Sequence, residues 1–239
     1  LHLDGDSETT ITLLRGLTQQ RRGTEVAARA QFLLGDVLAA TGQHAGAIVA
    51  LNEVLATYFD RDVAASAQYR IARSYAALGQ VDDATAACLA VVTGHPLSPQ
   101  APAAAYLAGC GLLQANRPAE AAAHFQLVLD RYAQRSDGDG TIVFAQPSHR
   151  ELVDAALCML QVSWQRTGDQ GRLSGAAHAL LHRLPPGNSP WRAWALLIDA
   201  DAQAAQGLYA EARVSLERLQ AEFPDHTALP AAGQLLAWT

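Results

Sequence analysis

Residues 34–42 read Leu-Gly-Asp-Val-Leu-Ala-Ala-Thr-Gly, and the pattern returns at 71–79 as Ile-Ala-Arg-Ser-Tyr-Ala-Ala-Leu-Gly and at 108–116 as Ala-Gly-Cys-Gly-Leu-Leu-Gln-Ala-Asn. The step is 37 residues. Leu34, Ile71 and Ala108 open the copies, followed by the small residues Gly35, Ala72 and Gly109, then by Leu38, Tyr75 and Leu112, then by Gly42, Gly79 and Asn116. The register continues through Ala47, Ala84 and Ala121, through Leu51, Cys88 and Phe125, and through Val54, Val91 and Val128. Apolar positions three and four apart, on both sides of a Gly or Asn suited to left-handed backbone, describe two amphipathic helices joined by a tight turn. Each copy is a helical hairpin, and a fixed period of this size means stacked hairpins.

Working outward, two looser copies follow. One carries Trp164, Gly168, Ala177, Leu180 and Pro185, and the other Ala200, Gly207, Ala212, Leu216, Leu219 and Pro224. The former has Gln161 in the small-residue column and Leu173 where alanine is expected, so its hairpin is expected to open or pack irregularly. Toward the start, Gly5, Leu14 and Leu17 fit the turn and second helix of an earlier hairpin. The chain thus divides into a partial hairpin over 1–23, regular repeats over 24–60, 61–97 and 98–134, an inserted loop over 135–147, a divergent repeat over 148–186, a further repeat over 187–224 and a closing helix over 225–239. The closing helix draws on Leu229, Leu235, Leu236 and Trp238. The start inside a hairpin, without an initiator Met, fits a portion of a longer chain. Capping signals mark the helix starts: Ser148 with Glu151, Ser189 before Pro190, and Pro118 after Asn116. The insertion, with Asp137, Gly138, Asp139 and Gly140 in succession, is expected to be exposed and mobile.

Composition agrees with packed helices: half of the residues are hydrophobic, yet only 6% are aromatic. Net charge is -6, all 17 basic residues are arginine, and the only close basic pair is Arg21 and Arg22, so no nucleic-acid partner is expected, since neutralising its phosphates needs a clustered basic face. The missing lysine reads as codon bias. Cys88, Cys110 and Cys158 form no CxxC pair and fall in helical apolar patterns, so they read as small buried hydrophobes. No apolar run reaches the ~18 residues a membrane span needs.

The residues Leu34-Gly35, Leu38, Gly42, Ala47, Leu51 and Val54, with Pro96, Pro185 and Pro224 closing copies, resemble the tetratricopeptide repeat over nearly the whole chain. The resemblance implies an all-α, right-handed superhelical solenoid of antiparallel hairpins. The 37-residue step and Pro96-Leu97-Ser98-Pro99 are similar to the variety found in bacterial envelope-assembly lipoproteins and Tol-associated periplasmic proteins, which favours a periplasmic or envelope location over the cytoplasm. It also sets Gly35, Ala72 and Gly109 opposite Ala47, Ala84 and Ala121, small residues that let helices approach closely.

Candidate chemistry is sparse. Asp137, Asp139, Gly140 and Ile142 echo a calcium loop, but Arg135 and Gln146 stand where its outer ligands belong. His178 and His182 lie one helical turn apart with no third ligand suggested, and read as solvated surface. No GxSxG, P-loop or dinucleotide-binding glycine pattern occurs, and the carboxylates form no acid and base pair, so neither an enzyme nor a cofactor is expected. One feature exceeds scaffold: Phe32, Tyr69 and Tyr106 recur at the period, three residues before the small column, on the face that lines the inner groove in the resembled family. Arg29, Asp36, Ser66, Arg73, Ala103 and Cys110 share that face, with Trp194 and Asp201 in the last hairpin. The rings are either packing residues common to successive copies or apolar contacts of a groove in which Arg29 and Arg73 hold carboxylates or carbonyls. The expected partner-binding set is Arg29, Phe32, Asp36, Tyr69, Arg73, Tyr106 and Trp194. The expected function is a noncatalytic adaptor for a protein or peptide in a bacterial complex. The alternative is a helical substrate-positioning or regulatory part of a longer enzyme, such as a cell-wall lytic transglycosylase.

Overall fold

A computed structural model describes residues 4–57, 61–135, 142–144, 149–183 and 190–236. These fold as two compact units, 1–115 and 116–239. The first holds α1 (Asp4–Gln20), α2 (Glu25–Ala40), α3 (His44–Thr57), α4 (Arg61–Ala77), α5 (Val81–Gly94) and α6 (Ala101–Gln114). The second holds α7 (Pro118–Tyr132), α8 (His149–Thr167), α9 (Gln170–Arg183), α10 (Pro190–Ala205), α11 (Tyr209–Glu222) and α12 (Leu229–Leu236). In each unit every helix packs on the next, and α2 with α4, α4 with α6, and α8 with α10 also meet. The fold is all-α, of stacked hairpins.

The turns explain why the hairpins recur. Gly42, Gly79, Gly168 and Gly207 have φ of +77°, +72°, +75° and +79°, and Asn116 has φ of +57°. At Gly42 the glycine N–H donates to Ala39 O at 3.1 Å and the Gln43 N–H to Leu38 O at 2.8 Å, closing the helix with paired bonds to its last carbonyls. The same two bonds recur at Gly79, Gly168 and Gly207. A Cβ is strained at this φ, which is why glycine holds the column. Helix starts are fixed differently: Pro118 and Pro190 begin α7 and α10, where the missing N–H costs nothing, and the Thr24 hydroxyl accepts from Ala27 N–H at 3.2 Å to cap α2. Ser148 and Ser189 lie outside the described residues.

The period's apolar columns form the cores. Ile48, Leu51, Val54, Ala67 and Ile71 make one cluster in the first unit, and Leu196, Ala200, Ala212, Leu216 and Leu219 lead another in the second, joined by Ala232 of α12 and by Ala228 just before it. The side chain nearest Gly35 is Leu51, one helical turn beyond Ala47, whose Cγ would lie 2.6 Å from a Cβ placed on the glycine. Ala47 is fully buried. In the divergent hairpin Gln161, Leu173 and Ala177 are all fully buried, neither amide atom of Gln161 has a hydrogen-bond partner among the described residues, and α9 lies less extensively on α8 than α11 on α10. The insertion departs from a plain loop: β1 (Ala133–Arg135) and β2 (Ile142–Phe144) pair antiparallel, with Gln134 opposite Val143. Residues 136–141 and 145–147, and with them the calcium echo and the expected mobility, lie outside the described residues.

Candidate functional site

The first helices α2, α4 and α6 of the first unit set the recurring rings side by side. Phe32, Tyr69 and Tyr106 are each half-buried, neither core nor free surface. Phe32 packs on the cluster of Leu51 and Ile71. Burial pushes the Tyr69 phenol above its ordinary range, with the Arg73 guanidinium opposing. Burial likewise raises the half-buried Cys110 thiol, against a hydrogen bond from Tyr106 one turn earlier.

A residue outside the expected set ties two of these helices together. Arg70 of α4 forms an ion pair with Asp36 of α2, and its guanidinium lies over the Phe32 ring at 4.8 Å from the centroid. Such a stacked cation is worth about 0.5–1 kcal/mol where partly exposed. Burial nevertheless raises the Asp36 carboxyl, and the Arg70 and Arg73 charges offset it only in part. Periodicity missed Arg70 because its column holds Leu33 and Leu107 in the neighbouring copies. Gln100, just before α6, donates to Ser66 Oγ of α4 at 2.9 Å, a second cross-helix tie.

Of the expected residues, Arg29, Phe32, Asp36, Tyr69, Arg73 and Tyr106 thus occupy one group of neighbouring helices. Arg29 is exposed and paired with Glu25 one turn before it, and Arg73 is exposed beside Asp36 and Tyr69. Trp194 belongs to the second unit, where it is 40% exposed and meets His226 edge-on at 5.7 Å. Asp201 there accepts from Gln165 at 3.0 Å. A separate cleft of about 670 Å³ opens between α1 and α3 over α2, with Arg15 and Arg22 on one wall and Glu53, hydrogen-bonded to Gln31, on the other.

Cys88 and Cys158 are buried free thiols pushed up to about 12, too protonated to act as nucleophiles. Among the described residues no group of three or more His, Cys, Asp or Glu is placed to hold a metal ion, and no helix is long and apolar enough to cross a membrane. The side chains of His178 and His182 lie outside the description.

Stacked hairpins closed by left-handed glycines, with a ring repeated on neighbouring first helices, define a helical-repeat protein. The chain belongs to the tetratricopeptide repeat family: one model of that family matches residues 11–62, 49–102 and 69–136, and a second matches 194–226. No curated protein matches it in sequence. Among solved structures it is similar to YrrB, described as a TPR protein with an unusual peptide-binding site, at 14% identity over 92% of this chain and 97% of that one, with a TM-score of 0.62. It is also similar to the apo form of RapI, at 11% identity over 94% of this chain and 62% of that one, with a TM-score of 0.70. MamA matches at 17% identity over 79% of this chain and 94% of that one, with a TM-score of 0.56. At these identities the likeness establishes the fold alone.

Proposed function

We propose that the chain is a noncatalytic adaptor that holds a peptide or protein partner on the α2, α4 and α6 face of its first unit, within a bacterial multiprotein complex. The observation that carries this reading is the half-burial of Phe32, Tyr69 and Tyr106 on adjacent helices, with Asp36, Arg70 and Phe32 locked across two of them. Such rings offer apolar area at little entropic cost, because each has only two side-chain torsions to fix. Arg73, exposed beside them, supplies the polar contact and favours an acidic residue in the ligand. The family and the peptide-binding description of YrrB support the same reading. The resemblance of Pro96-Leu97-Ser98-Pro99 to envelope-assembly repeats supports an envelope setting, which fractionation of the native organism tests.

Peptides selected from a displayed random library on the wild-type protein supply the probe. The double variant Tyr69→Ala, Tyr106→Ala is expected to keep its helical circular dichroism and to bind those peptides at least about tenfold more weakly, and Arg73→Glu to weaken the acidic ones selectively. Ala47→Leu serves as the packing control, since Ala47 is fully buried. If the tyrosine variant melts as low as that control, or binds as wild type does, the face is structural and the proposal fails.

A further inference from the structure

Three helices of the first unit turn a stripe toward the cleft between α1 and α3. Arg15, Thr18, Gln19 and Arg22 come from α1, and Ala27, Gln31, Leu34 and Leu38 from α2. Gly46, Val49, Ala50 and Glu53 come from α3. Each stripe advances by three or four residues, which is one face of a helix, so the cleft runs lengthwise along the three helices rather than across them. A further helix fits such a groove with one face down.

The walls differ in charge. Arg15 and Arg22 are exposed, and among the described residues neither guanidinium makes an ion pair or a hydrogen bond, whereas Arg29 and Arg70 of the same unit are both paired. On the facing wall the Glu53 carboxylate is already taken by the Gln31 amide. A carboxylate entering the cleft is therefore drawn to α1 and repelled from α3, which fixes the way round that a ligand lies. Leu34, Leu38 and Ala50 form a buried floor, and Val49 stands 61% exposed above it. The last hairpin does not repeat this seat. At 165 positions on, Leu34, Leu38 and Ala50 become Asp199, Gln203 and Ser215, where the Asp199 carboxylate accepts from Gln203 Nε2 at 2.9 Å and from Ser215 Oγ at 3.2 Å.

The spacing of the two arginines selects the ligand. They stand two helical turns apart, ~10.5 Å along α1 at 1.5 Å per residue. We infer that the cleft takes an amphipathic helix of a partner protein carrying acidic residues seven apart, one on each arginine, with an apolar residue between them on Val49 and the floor. An extended strand would meet the same arginines with acids three apart, at about 3.3 Å per residue. The cleft stripe of α2 lies on another side of that helix from Phe32 and Asp36, so this surface and the ring face can fail independently.

The probe is an acetylated, amidated, alanine-based peptide of about 16 residues, long enough to hold a helix, with two glutamates seven apart and two leucines between them. One counterpart has glutamine for glutamate, and another has the glutamates three apart. Binding to the full chain is followed by fluorescence anisotropy of the labelled peptide. The first peptide is expected to bind saturably and at least about tenfold more tightly than either counterpart. Arg15→Ala and Arg22→Ala should each weaken it, and together bring it to the level of the glutamine peptide. Arg21→Ala, at the neighbouring arginine outside the cleft lining, should leave it unchanged. Arg15→Glu with Arg22→Glu should reverse the preference and take up the same peptide with lysine for glutamate. Val49→Glu should abolish binding. All four positions are exposed, so each variant should melt as wild type does. Equal binding of the glutamate and glutamine peptides, tighter binding of the three-apart peptide, or as large a loss in Arg21→Ala as in Arg22→Ala overturns the proposal.

Discussion

Gly35→Ala adds one methyl group where, among the described glycines, an added Cβ meets its nearest neighbour at the shortest distance. The new Cβ would lie 2.6 Å from Leu51 Cγ, 2.8 Å from Cδ2 and 3.3 Å from Cδ1. Carbon atoms rest at about 3.5–4.0 Å, so Leu51 must retreat by roughly 1 Å. Leu51 is fully buried, and the atom struck is its branch point rather than a free end. Overpacking of this kind costs about 1–3 kcal/mol, against which alanine gains up to about 1 kcal/mol over glycine within a helix. The expected net loss is about 1 kcal/mol. The neighbouring repeat suggests the remedy: at the equivalent positions it holds Ala72 and Cys88, both fully buried, and the divergent one holds Gln161 and Ala177. Volume added on the first helix is there withdrawn from the second. Leu51→Cys alone should cost about 2 kcal/mol through lost burial and a cavity. The double variant should recover about 1 kcal/mol or more of the summed loss, a coupling that independent sites do not have. The assay is urea unfolding followed by circular dichroism, with Gly16→Ala as reference, since a Cβ there meets nothing within 4 Å and should stabilise slightly. Additivity within about 0.5 kcal/mol, or Gly35→Ala as stable as Gly16→Ala, would refute the reasoning.

Two further outcomes follow from buried polar groups. Arg192 is 2% exposed, forks onto Glu222 at 2.6 and 3.1 Å and donates to Leu181 O at 3.0 Å, joining α9, α10 and α11. Arg192→Met should cost about 3 kcal/mol, the low end for a broken buried pair because Arg218 stands near Glu222, and lower the melting temperature by roughly 6–12 °C. A loss below about 2 °C would mean the pair contributes nothing measurable. Burial pushes the Cys88 and Cys158 thiols up to about 12, so the fold holds protons that the unfolded chain releases near its ordinary value of about 8.5. Their contribution is complete below that value and is lost as pH rises from it toward about 12. Urea midpoints should therefore fall between about pH 8.5 and 9.5, less steeply in a Cys88→Ala, Cys158→Ala variant, and an unchanged slope would contradict the assignment.

The hairpin was legible because its turn admits few residues. A positive φ excludes most side chains, so Gly42, Gly79, Asn116, Gly168 and Gly207 could be read as turns before any coordinate was known. The helix faces were legible through their three- and four-residue steps. Which turn of one helix meets which turn of the next was not. Columns fix rotation about a helix axis but not sliding along it, so they did not reveal that Leu51 is the side chain nearest Gly35. The Thr24 cap escaped because a single threonine among many carries little signal. Cys110 was expected buried and is half-buried, since its column borders the ring face.

The candidate site was legible only where it repeated. Phe32, Tyr69 and Tyr106 stand out by recurrence, whereas Arg70, which locks the first of them, occurs once in a column otherwise held by leucine. The same blindness hid Asp199. Its column reads Leu34, Ile71 and Ala108 in the regular copies, and the register through Ala200 already placed an acid there, where the repeat buries apolar side chains. Such an exception carries more information than the recurrence that surrounds it. The repeat states what the fold requires at each position, and Asp199 departs from it in company: Gln203 beside it on α10 and Ser215 on α11 both donate to its carboxylate, so the three polar replacements form one hydrogen-bonded set. In a repeat family the residues to test first for function are therefore those that break a buried column, and among the described residues these include Gln161 of the divergent hairpin and Asp199, Gln203 and Ser215 of the last.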